Sequence, residues 1–82
     1  MPVYKLAGGE RRTVPTGPAH DTMTVTNPAE AGQAHYRLSV DAPNARPHAL
    51  GPGYTDSYDV TAFPSIDVHN TGTLALTVAT TS

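Results

Sequence analysis

The chain has 82 residues, a formal net charge of −2 and no cysteine, which limits it to one small domain without disulfides. Leu, Ile, Val and Phe number only 14, so any core is thin, yet charged residues are just 15 % and full disorder would call for more charge. Positions 1–40 hold four basic and three acidic side chains and positions 41–82 hold one and four. That distribution forms no basic stripe and excludes nucleic acid as the expected partner. No apolar run approaches a membrane helix, and Met1 to Ala7 lacks the apolar centre of a signal peptide. A soluble chain, neither spanning nor anchored to a membrane, is the expectation.

Eight Pro and seven Gly break every candidate helix, while the twelve Thr favour strands. Seven short strands are expected in chain order. Val3 to Leu6 is followed by a turn at Gly8-Gly9, and Arg11 to Val14 stops at Pro15. Thr22 to Asn27 stops at Pro28. Ala34 to Val40 carries Tyr36, Leu38 and Val40 on one face and His35, Arg37 and Ser39 on the other. Asp41 to Gly53 is a Pro-rich connection long enough to cross between sheets. Thr55 to Val60 is the fifth strand. Ser65 to Asn70 points Ile66 and Val68 inward, and Asn70-Thr71-Gly72-Thr73 reads as a tight hairpin into Leu74 to Thr80.

The chain also repeats itself. Met23 to Asn27 matches Ile66 to Asn70 as apolar, polar, Val, polar, Asn. Tyr36 to Val40 matches Leu74 to Val78, and Gly9 to Val14 matches Gly53 to Val60. Two similar segments, about 9–40 and 53–80, would stack on each other because neither buries its apolar face alone. The expected fold is therefore all-β: a small sandwich or flattened barrel of six to seven short antiparallel strands in two similar halves, residues 1–82 forming one domain. Val3 to Leu6 would be an edge, or an arm added to a neighbouring subunit.

Chemistry is sparse. Asp56 and Asp59 are three apart on a strand and point to opposite faces, so they cannot share a substrate. His20, His35, His48 and His69 show no chelating spacing, and the expectation is no metal and no cofactor. His35 and His69 fall on outward faces and meet only if their strands are neighbours. No nucleophile elbow is present, and the Gly-rich segments precede no helix that could hold a phosphate. Tyr54, Tyr58 and Phe63, with Asp56 and Asp59 nearby, are the candidate binding residues, since aromatics beside carboxylates suit a sugar ring. The expected function is a non-enzymatic structural or assembly protein, acting through self-association or docking on a larger lattice such as a phage capsid. A small carbohydrate-binding module recognising glycans is the alternative.

Overall fold

The computed structural model describes residues 3–16, 21–39, 47–61 and 63–81. Among them are eight strands and no helix: β1 (Val3–Leu6), β2 (Arg11–Pro15), β3 (Thr22–Thr26), β4 (Ala34–Ser39), β5 (Pro47–Leu50), β6 (Thr55–Asp59), β7 (Ser65–Asn70) and β8 (Leu76–Thr81). They form two four-stranded antiparallel sheets, ordered β1-β8-β3-β6 and β2-β7-β4-β5. Nested pairing of β4 with β5, β3 with β6, β2 with β7 and β1 with β8 makes the chain one long hairpin rolled over itself. That winding is the jelly-roll arrangement.

The sandwich expectation holds, and the strand count and the barrel do not. The sheets stay open, and the eighth strand is β5, inside the stretch expected to be a crossover. Pro47–Leu50 is short, begins with Pro and lies at a sheet edge, where a missing N–H is tolerated. It pairs with β4 and so remains in the same sheet. Residues 41–46 of that connection lie outside the described residues. The expected Asn70–Thr73 hairpin is also corrected, because β7 and β8 belong to different sheets. The connection is instead held by Asn70, whose Nδ2 donates to the carbonyls of Leu6 (3.2 Å) and Leu74 (2.6 Å). Its Oδ1 accepts from the Gly72 amide at 3.1 Å.

Adding four to each strand number converts the first sheet's order into the second's, read from the opposite edge. The local details follow. Asn27 donates to Gly32 and Leu50 and accepts from the Ala29 amide, as Asn70 does with Leu74, Leu6 and Gly72. Both Asn side chains are fully buried, so each must be satisfied on every side. The β1–β2 and β5–β6 turns match too, with Gly9 at φ 81° and Gly53 at φ 76°, a conformation that favours glycine. The ladders revise two equivalences drawn from sequence. Leu38 and Val78 occupy corresponding places, opposite Val68 and Val25, which is a two-residue slip from the alignment of Val40 with Val78. Likewise Thr16, bonded to the Pro64 carbonyl, corresponds to Val60, bonded to that of Asp21. An even slip preserves the in-out alternation, so pattern alone could not detect it.

Between the sheets lie Leu6, Val14, Met23, Val25, Ala34, Tyr36, Leu38, Leu50, Val60, Ile66, Val68, Leu76 and Val78. Within this layer the buried Thr80 hydroxyl has no hydrogen-bond partner among the described residues.

Candidate functional site

The open edge formed by β5 and β6 concentrates the polar chemistry of the fold. β6 alternates, with Thr55, Ser57 and Asp59 exposed and Asp56 and Tyr58 turned half-buried toward the core. Because β6 has a neighbour on one side only, these two inward groups meet the lateral opening of the sandwich. Tyr36, fully buried on β4, reaches the same place and donates its phenol proton to Asp56 Oδ2 at 2.5 Å. A phenol has one proton, so Tyr58 must donate in its close contact with the Tyr36 oxygen. His48 of β5 stacks on the Tyr36 ring, with centroids 5.0 Å apart and planes 17° from parallel, and meets Tyr58 edge-on at 6.1 Å.

This environment opposes ionisation of both phenols. Burial pushes the Tyr36 phenol far above its ordinary range, and bonding to Asp56 adds to the shift. Burial likewise raises Tyr58. Neither phenol is a nucleophile or base near neutral pH, and the group works as a neutral hydrogen-bond chain ending on one carboxylate.

Just outside this chain, a shallow depression of about 290 Å³ is lined by Asp21, Thr22, Ser57, Tyr58, Asp59 and Thr61. Asp59 accepts from the Thr61 hydroxyl (2.6 Å) and amide (3.0 Å), which holds its exposed carboxyl below the usual range. It therefore presents a fixed negative charge.

Tyr54, Asp56, Tyr58 and Phe63 do not form one face with Asp59. Tyr54 lies before β6 and is 69 % exposed, against Gly51, where an added Cβ would meet its ring at 2.9 Å. Asp56 and Tyr58 turn inward. Phe63 lies beyond the other end of β6, half-buried against the core, its carbonyl accepting from the Thr16 hydroxyl. Of the candidates, Tyr58 and Asp59 border the depression. Tyr36 and His48 were not singled out as a site from sequence, although a Tyr at a core position requires a partner for its hydroxyl.

His35 and His69 do lie on neighbouring strands, but His69 faces Arg37 across the ladder and the His35 carbonyl accepts from the Thr71 amide. His20 lies outside the described residues. Among those described, no three His, Asp or Glu side chains are grouped to hold a metal ion. Compared with known proteins, the chain matches no family model, no curated protein and no solved structure.

Proposed function

We propose that this chain is a non-enzymatic structural protein that self-associates or docks on a larger lattice, in the manner of a subunit decorating a phage capsid. The observation that carries the reading is the inequality of its open edges. β2 ends in Pro15 and turns Arg12 toward the sheet interior, β5 begins with Pro47, and β6 turns Asp56 inward. Proline and inward charge are established ways to stop a sheet edge from pairing with another chain. β1 has neither: Val3 is 53 % exposed, and Lys5 on the outer face is its one charge. An unpaired edge of this kind accepts a further strand through backbone hydrogen bonds. Jelly rolls serve as both capsid and lectin domains, so the winding itself does not choose between them.

Sedimentation velocity on the purified protein is the test. Concentration-dependent oligomers, weakened about tenfold or more by a second charge in Val3→Lys, are the expected result. A monomer at every concentration that is not retained on particles from its source overturns the reading.

The depression at β6 favours one second reading, a small glycan binder. It sets an aromatic ring, Tyr58, beside the carboxylates of Asp21 and Asp59 and three hydroxyls. A glycan array separates the two: binding lost in Tyr58→Ala and kept in Tyr54→Ala supports this reading, and an array without signal removes it.

A further inference from the structure

Each outer side of the sandwich carries a charged patch, cationic on the second sheet and acidic at the β6 end of the first, whose far edge carries Lys5. On the outer face of the second sheet, Arg11 of β2, His69 of β7 and Arg37 of β4 lie directly opposite one another across adjacent ladders. Neighbouring strands are about 4.8 Å apart, so the two guanidinium-bearing residues sit about 10 Å apart along one row. His35 lies two residues from Arg37 on the same exposed side. The nearest carboxylate on this face, Asp67 in the next row, is engaged by the Thr13 hydroxyl at 2.6 Å. Among the described residues the one ion pair within 4.0 Å is Arg12 with Glu10, so neither Arg11 nor Arg37 is ion-paired within that distance.

On the outer side of the first sheet, the β6 depression presents Asp21 and Asp59, Asp59 being held as a carboxylate by Thr61. We propose that the cationic row of one copy docks on the acidic depression of the next, giving a head-to-tail stack. The row supplies two permanent positive charges, the depression supplies two negative ones, and they point away from each other on one molecule. Such a contact joins different patches on the two copies, so it propagates into a ring or a filament instead of closing as a dimer. The molecule measures 35 × 27 × 17 Å, and its broad face has room for the roughly 800 Å² per partner of a stable contact. This inference rests on the self-association reading but uses surfaces remote from the β1 edge.

Two full-length variants test it, Arg11→Glu with Arg37→Glu and Asp21→Lys with Asp59→Lys. All four residues are exposed, and circular dichroism checks that each variant folds. In sedimentation velocity at low salt, each variant alone is expected to associate about tenfold or more weakly than the wild type, and an equal mixture to recover association. Raising the salt should weaken the wild type in the same direction. Wild-type association that survives in both variants overturns the stack; if Val3→Lys still disrupts it, the edge-docking reading stands alone. A wild type that stays monomeric yet binds heparin, with binding lost in the arginine variant, overturns it in favour of an anionic polymer as the partner.

Discussion

The two lateral edges of the sandwich occupy equivalent places in the winding and are closed by opposite chemistry. At the β1–β2 edge, Arg12 lies 3.5 Å from Glu10 and holds its guanidinium 5.7 Å from the Tyr4 ring centre. Both charged side chains remain about two-fifths exposed, at 46 % and 36 %, so water and salt screen the pair and its worth is small. At the β5–β6 edge, Asp56 occupies the place of Arg12 and is engaged by the fully buried Tyr36 phenol. One sequence difference accounts for the contrast. Tyr36 on β4 corresponds to Leu76 on β8, since each continues the ladder to the buried Asn of its neighbour, and Leu76 has no hydroxyl to offer. The first edge is a solvated charge pair over an aromatic ring; the second is a desolvated chain in which each member depends on the next.

Three measurements sharpen that contrast. Tyr36→Phe should have the largest effect, a loss of about 1–3 kcal/mol in chemical denaturation, because it leaves a half-buried carboxylate without its donor. A loss below that of Arg12→Met would refute the dependence within the second edge. Next comes the alkaline limb of stability. In the unfolded chain Tyr36 ionises near pH 10, whereas in the folded protein burial defers this well above that value. The stabilisation is therefore complete below about pH 10 and declines as pH rises beyond it, and Tyr36→Phe should flatten this decline. An unchanged slope would show that Tyr36 is not its source. The smallest effect is expected at the first edge, where Arg12→Met should cost less than about 1 kcal/mol and change little with added salt. A cost as large as that of Tyr36→Phe would erase the distinction between the edges.

Alternation made most strands legible from sequence, with Val3–Leu6 and Ser65–Asn70 matching residue for residue. β5 was not legible, because Pro47-His48-Ala49-Leu50 is too short to alternate and opens with a strand breaker. The sheet assignment of β7 and β8 was also hidden. A Gly in a short connection suggests a hairpin, but the buried Asn70 side chain ties that connection to the Leu6 carbonyl of β1 instead. At the candidate site, Asp56 and Tyr58 were singled out as sugar-facing residues. Their shared parity on β6 held the better clue, since inward-facing polar groups can meet the hydroxyl of a core tyrosine. Which core tyrosine depended on strand order, and that is a long-range fact absent from local pattern.

The nested pairing has a kinetic consequence. Sequence separation widens at each layer, from Arg37 with Pro47 at the innermost pair to Leu6 with Leu76 at the outermost. Closing each wider loop costs more chain entropy before its contacts form, so the roll should fold slowly for its size, from the centre outward. β1 is then the final strand to dock and the first to let go. A segment that arrives late, on an edge guarded by the single charge of Lys5, is also the one a crowded nascent chain can most easily lend to its neighbour.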